Sequence, residues 1–411
     1  KEFPAQMYFG NGNPDSPENS GYYSRQEFID FLRYCYERGI CVIPEIETPG
    51  HARTAIKAMD ARWRQRGDDS YRLHEDSDTS RYYSAQFFTD CVLNPALEGP
   101  YRLMDVVSSS IQKMYKDAGV PLVAFHIGGD GAWSGSPSAQ AFMKEHGLHT
   151  DKDMHAHWVR EMAKMLKGKG MKLAGWQDIV ATDDAEYSAE VGGNTEYVNL
   201  WVAGKDAKGV LPGTKARQAG FPVLICAVPR YYVDFAHSYH PEEHGLDWGG
   251  VSDELNTLLG YAEEYAPAAP ERAKADIVGV QGQLWSETVN SLPWIERYLF
   301  PRIFAIAERG WNADTTYSVK EFNKLIGERE LPALAAKGTG FHLRQPGIIV
   351  ENGMVKMNSP YEGAEIRYTL DGSTPTKESR LYTGPFQYEK EMDVRARLYY
   401  LGGESVTTLS R

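Results

Sequence analysis

A chain of 411 residues, 42% of them hydrophobic, has enough apolar material for a sizeable core, and its length suits either two or three domains or one barrel with an appendage. Its formal net charge of -12 excludes a nucleic-acid groove or an anionic membrane surface as its partner, since neither attracts an acidic protein. It contains no apolar run of about 18 residues and nothing patterned like a signal peptide, so it reads as a soluble form.

The first predicted element is a helix. Ser24 and Glu27 form a capping-box pair, Phe28, Phe31, Leu32 and Cys35 follow at i, i+3, i+4 and i+7, and Gly39 ends the run. A strand over Ile40 to Ile46 comes next and opens into Pro44-Glu45-Ile46-Glu47-Thr48-Pro49-Gly50-His51, which puts an acid, Glu47, and a histidine, His51, at its end. A structural histidine with satisfied nitrogens is the plain alternative for His51. The second strand, Leu122 to His126, runs into Ile127-Gly128-Gly129-Asp130-Gly131-Ala132-Trp133, so an apolar strand delivers a histidine, two glycines and a carboxylate to an open end. Further strands are expected at Lys172 to Trp176, Tyr197 to Trp201, Pro222 to Val228 and Ile277 to Leu284, separated by helical or loop-rich sequence.

This alternation over about residues 24 to 310 predicts a parallel α/β architecture whose chemistry gathers at the C-terminal ends of the strands. Trp176 and Trp201 each end a strand, and with Trp248 they read as a pocket wall. Alternation puts Tyr232 and Asp234 on one side of the segment after the fifth strand, and Trp285 and Glu287 stand two apart after the sixth. A carboxylate beside a flat aromatic ring suits sugar hydroxyls, and the chain is rich in such rings, with 25 Tyr and 9 Trp. Beyond Leu331, short alternating segments such as Glu365 to Leu370, the Asp371-Gly372 turn, and inward-facing Val394, Ala396 and Leu398 predict a small antiparallel β-sandwich. The four cysteines, Cys35, Cys41, Cys91 and Cys226, have no C-x-x-C spacing and read as reduced core residues. His126, Asp130 and His51 lack a further ligand at metal-site spacing, so no metal is expected.

Taken together, His-Ile-Gly-Gly-Asp at 126 to 130, Pro-Glu-Ile-Glu-x-Pro-Gly-His at 44 to 51, Gly-Trp-Gln-Asp at 175 to 178, Tyr-x-Asp at 232 to 234 and Gln-Leu-Trp-Ser-Glu at 283 to 287 resemble a family 20 glycoside hydrolase of the bacterial chitobiase type. The resemblance implies a TIM (β/α)8-type barrel over residues 1–335, its first two strands lying outside this chain, followed by an immunoglobulin-like β domain over 336–411. It implies an exo-acting β-N-acetylhexosaminidase with no cofactor, located in the periplasm or outside the cell. In such enzymes the substrate's own 2-acetamido oxygen attacks the anomeric carbon, and configuration is retained.

By the same resemblance, Asp130 orients the acetamido nitrogen and stabilises its developing positive charge, and Tyr232 holds the acetamido oxygen. Trp176, Trp201 and Trp248 box the N-acetyl methyl, Trp285 and Glu287 bind the terminal sugar, and Asp234 takes a 4- or 6-hydroxyl. Glu47, His51 and His126 support this set. A lacto-N-biosidase would share the acetamido chemistry.

The sequence departs from the family where the general acid, a glutamate directly after the aspartate, should stand: that position is Gly131. The Gly131-Ala132-Trp133 and Ser136-Pro137 that follow predict a short mobile segment bearing the acid between Asp130 and Gly131, with true deletion as the alternative. Without a proton donor a sugar alkoxide departs slower by about 10²- to 10⁴-fold. A protein that binds N-acetylhexosamine without hydrolysing it is the competing reading.

Overall fold

The computed structural model describes residues 22–84, 86–182, 184–202, 212–265, 276–312 and 317–409. Contacts divide the chain into two compact units, one of Lys1–Ile225 with Tyr265–Gly279 and one of Cys226–Glu264 with Val280–Arg411.

The first unit opens with α1 (Arg25–Tyr36), which carries the expected capping box: the Ser24 hydroxyl accepts from the Glu27 N–H, and the Glu27 carboxylate accepts from the Ser24 N–H. The helix closes as Gly39 takes φ 73° and the Ile40 N–H reaches back to the Cys35 carbonyl. Its inward stripe is Ile29, Leu32 and Cys35 rather than one containing Phe31, which is 39% exposed. Phe31 stacks instead on Tyr23, at 6.1 Å between ring centroids, so the aromatic residues at the helix start pack on one another.

All six expected strands form: β1 (Glu45–Thr48), β2 (Phe125–Gly128), β3 (Leu173–Trp176), β4 (Thr195–Leu200), β5 (Val223–Ile225) and β6 (Ile277–Val280). Each lies beside its neighbour in sequence, and the ladders from β1 to β5 are parallel, which is the strand order of a (β/α)8 barrel. β1 begins five residues later than the apolar run predicts. Pro44 has no N–H for a ladder, although its carbonyl accepts from the His126 N–H at 2.9 Å. The residues before it therefore stay outside the sheet: Ile40 is 54% exposed and Cys41 is exposed too, contrary to its expected place in the core. The other three cysteines are buried, and all four are free. β2 and β3 are buried at every position, as fits parallel strands covered on both faces.

In the second unit, the helix Val319–Leu325 and the residues after it contribute Phe322, Ile326 and Leu331 to a core shared with Leu343, Tyr361 and Leu398. The C-terminal module is the expected two-sheet antiparallel arrangement, formed by eight short strands: β7 (Gly347–Glu351), β8 (Met354–Asn358), β9 (Glu365–Thr369), β10 (Arg380–Leu381), β11 (Phe386–Gln387), β12 (Arg395–Tyr400), β13 (Gly403–Glu404) and β14 (Thr408–Leu409). One sheet runs β10-β9-β12-β13 with β14 against β12, and the other runs β11-β8-β7. Val355 and Met357 from the smaller sheet meet Ile366, Val394 and Ala396 from the larger, which gives the module its own core. Among the described residues no helix is long and apolar enough to cross a membrane.

Candidate active site

In the first unit, the polypeptide after β2 is shaped by two consecutive left-handed glycines, Gly128 at φ 74° and Gly129 at φ 106°. A Cβ at Gly128 would collide with the Glu47 carboxyl group, and one at Gly129 with Ile179. These positions thus need glycine both for the turn and for the close approach. The turn is tied down from two sides. The Gly129 N–H donates to the Thr48 carbonyl at 2.7 Å, and the Gly129 carbonyl accepts from His155 Nε2 at 2.8 Å. Asp130 emerges from it with its side chain 26% exposed, and a Cβ at Gly50 would lie 2.8 Å from the Asp130 Cβ, so the loop after β1 presses directly on the acid.

Glu47, at the end of β1, is buried against Asp130. Burial first, then the Asp130 charge and then Glu45, push its carboxyl well above the usual carboxylate range. Both the burial of Glu47 and the neighbouring carboxylate favour its protonated form. Glu47 Oε1 is a buried oxygen with no hydrogen-bond partner among the described residues. The other oxygen, Oε2, accepts from Trp176 Nε1 at 3.1 Å. Trp201 is held the same way, its Nε1 donating to Asp178 Oδ2 at 2.9 Å. Burial raises the Asp178 carboxyl, partly offset by that indole bond. Each tryptophan expected to line the pocket from this unit is therefore fixed in orientation by a carboxyl group.

His126 lies beneath, 3% exposed. Its Nδ1 accepts from the Gly128 N–H at 3.1 Å, its Nε2 faces Asn199 Oδ1 at 3.3 Å, and its ring packs edge-on to Trp176 at 5.1 Å. Burial lowers its pKa, and acceptance at Nδ1 leaves the ring proton of the neutral form on Nε2. His51 is placed differently: its Nε2 lies 3.6 Å from Asp130 Oδ2, its side chain is 37% exposed, and its backbone has φ 47°. Among the described residues no group of three or more His, Cys, Asp or Glu side chains is placed to hold a metal.

The remaining expected residues lie in the second unit. Residues 231–233 run alongside Gln283 as a short parallel bridge, with the Val233 N–H on the Gln283 carbonyl and the Gln283 N–H on the Tyr231 carbonyl. This pairing sets Asp234 near Glu287 and brings it a hydrogen bond from the Trp285 backbone. Asp234 is 1% exposed, and burial raises its carboxyl to about 7, with a further push from the Glu287 charge. Among the described residues its Oδ1 has no hydrogen-bond partner. Tyr232 is 4% exposed and meets Trp248 edge to face at 6.0 Å; Trp248 itself is 52% exposed and rests on Phe235. Arg302, fully buried, clamps this segment by donating to the carbonyls of Phe235, Ser252 and Tyr298.

Sequence reasoning missed His155, Asp178, Asn199 and Arg302 as members of these arrangements. Asp178 stood within a quoted motif and needed only its pairing with Trp201 to be noticed. His155 sits on the otherwise apolar inner face of the helix Asp151–Gly168, among Met154, Ala156, Trp158 and Val159, and no local spacing marks it. The expected acid-bearing segment is also corrected. The chain passes directly from Asp130 to Gly131, and a Cβ at Gly131 would find nothing within 4 Å.

The description "Glycosyl hydrolase family 20, catalytic domain" matches residues 4–314, and "Chitobiase/beta-hexosaminidase C-terminal domain" matches 345–410. The chain belongs to glycosyl hydrolase family 20. Among family 20 relatives, it is 29% identical to a β-hexosaminidase of Vibrio vulnificus over 424 residues, covering 89% of this chain and 50% of the relative. It is 28% identical to an N,N'-diacetylchitobiase of Vibrio harveyi over 444 residues, covering 88% and 50%. Its fold is similar to that of a family 20 exo-β-N-acetylglucosaminidase from Vibrio harveyi in complex with N-acetylglucosamine, with TM-score 0.64 and 29% identity over 79% of this chain and 46% of that one. The chain thus spans half the length of these curated relatives.

Two consequences of this geometry are measurable. Trp176→Phe keeps a ring but leaves Glu47 Oε2 without its indole donor, which should cost about 1–3 kcal/mol in denaturant unfolding. Asp234 carries a folded-state pKa of about 7 against an unfolded value of about 3.9. A raised carboxyl stabilises below the unfolded value, and that stability is lost as pH rises through the folded one. The melting temperature of wild type relative to Asp234→Asn should therefore fall between about pH 4 and pH 7 and level off above.

Proposed function

We propose that this chain carries the active site of an exo-acting β-N-acetylhexosaminidase. It removes terminal non-reducing GlcNAc or GalNAc from chitooligosaccharides or glycans, with the substrate's acetamide as the nucleophile and retention of configuration. The observation that carries this reading is the Glu47–Asp130 pair. Asp130 stands partly open at the end of β2, backed by Glu47, where its carboxylate can hold the acetamido N–H and stabilise positive charge as the oxazolinium ring forms. Holding the acetamide against the anomeric carbon removes much of the entropic barrier to ring closure. Trp176 and Trp201 offer rigid apolar faces to the N-acetyl methyl, and Tyr232, by its Tyr-x-Asp motif, and Trp248, by the family resemblance, are assigned to the acetamide. Asp234 Oδ1, buried and without a partner among the described residues, is matched to a sugar hydroxyl, and Trp285 and Glu287 to the terminal sugar. Complexes of a relative with N-acetylglucosamine support the ligand class.

Gly131 favours a second reading, an N-acetylhexosamine-binding protein without turnover. Incubation with 4-nitrophenyl β-GlcNAc and with N,N'-diacetylchitobiose separates the two. Release of GlcNAc is the expected result; calorimetric binding of GlcNAc with no release from either substrate would establish the binding protein. The proposed location, in the periplasm or outside the cell, is tested by fractionating cells that express the native gene.

A further inference from the structure

We propose that His51 is the proton donor and acceptor of this site. The assignment rests on the glycosidase reading above and goes beyond it by naming the group that protonates the leaving oxygen. A sugar alkoxide needs such a donor, and the residue after Asp130, a glycine, brings none.

Glu47, Asp178, His126 and His155 are ionisable groups that interact with Asp130 in the first unit. Glu47 has its Oε1 shielded from solvent and its Oε2 occupied by Trp176. Asp178 is buried and bound to the Trp201 indole. His126 has both ring nitrogens engaged, and His155 uses Nε2 to hold the Gly129 carbonyl. His51 alone among these histidines is both open to solvent, at 37%, and beside Asp130, at 3.6 Å. Its backbone is held at φ 47°, a conformation uncommon outside glycine and one that persists where surrounding structure imposes it. The imposing contacts are present: Gly50 presses on Asp130, and the Ala52 N–H bonds the Cys91 carbonyl at 2.7 Å. The Cys91 thiol also lies against the His51 backbone, and Asp130 supplies a counter-charge for an imidazolium.

In the first step the acetamido oxygen bonds to the anomeric carbon as the bond to the aglycone breaks. The imidazolium passes its Nε2 proton to the departing oxygen, directly or through one water. In the second step the neutral ring takes a proton from the water that attacks the anomeric carbon, which reopens the oxazolinium to the acetamide and restores the imidazolium.

The test compares kcat/KM of wild type and His51→Gln on two substrates, because kcat/KM reports the step in which the aglycone leaves. Glutamine retains a donor toward Asp130 but cannot shuttle a proton. The expected result is a loss of about 10²-fold or more on N,N'-diacetylchitobiose and a far smaller loss on 4-nitrophenyl β-GlcNAc, whose phenolate departs without protonation. The aryl substrate also shows that the variant is folded. Equal losses on both substrates, or none on either, would overturn the assignment while leaving the hydrolase reading intact. A wild type inactive on both would overturn the hydrolase reading and this assignment with it.

Discussion

Replacing Asp130 by alanine should lower kcat/KM for 4-nitrophenyl β-GlcNAc by about 10²- to 10³-fold, the range seen when one preorganised group facing developing charge is removed. The effect is large because the charge at this position is set before substrate arrives. The glycine turn and the Gly50 contact hold Asp130 in place, so its carboxylate needs no reorganisation as the acetamide becomes cationic. Asp130→Asn separates the contributions: it can still accept from the acetamido N–H but carries no charge. If charge is what matters, the asparagine variant should fall nearly as far as the alanine variant while binding GlcNAc more tightly than the alanine variant does. The same substitution removes the repulsion that helps to keep Glu47 protonated. The loss of stability that a raised Glu47 imposes as pH rises should then be smaller in the asparagine variant.

The second large effect concerns the turn rather than the charge. Gly128→Ala should destabilise the fold by about 2–5 kcal/mol, about 1–2 from a left-handed backbone and about 1–3 from overpacking. The atom in the way belongs to a side chain, and carboxyl groups on the surface can usually move aside. Here Glu47 is pinned by the Trp176 indole and by Asp130, so it has nowhere to go without breaking one of them. Denaturant unfolding measures the loss. Weakened GlcNAc binding in the folded fraction would show that Asp130 has shifted with the turn.

Much of this was legible in the sequence because parallel strands buried on both faces leave nearly continuous apolar runs, such as Leu122 to Phe125, and because each run ends in residues chosen for chemistry rather than for packing. Boundaries were less legible for a local reason. Ile40 and Cys41 look like strand residues, but Pro44 delays the ladder and leaves both exposed. On α1 the expected Phe28, Leu32 and Cys35 do face the core, joined by Ile29, and only Phe31 turns outward, where it stacks on Tyr23. The motifs named Glu47, Asp130, Trp176 and Trp201 one by one. No reading of a single segment could show that Glu47 of β1 backs Asp130 at the end of β2, or that His155, 25 residues beyond Asp130, holds the turn. Those are juxtapositions made by the sheet.

The central claim is that the substrate's acetamide is the nucleophile at a site organised by Asp130. It is tested most directly by comparing aryl β-glycosides whose N-acetyl group carries zero, one, two or three fluorines. Fluorine withdraws electron density from the amide oxygen and hardly changes its size, so the account predicts that kcat/KM falls steeply with each fluorine added. A rate insensitive to fluorination would mean that another nucleophile attacks the anomeric carbon, and would contradict the account.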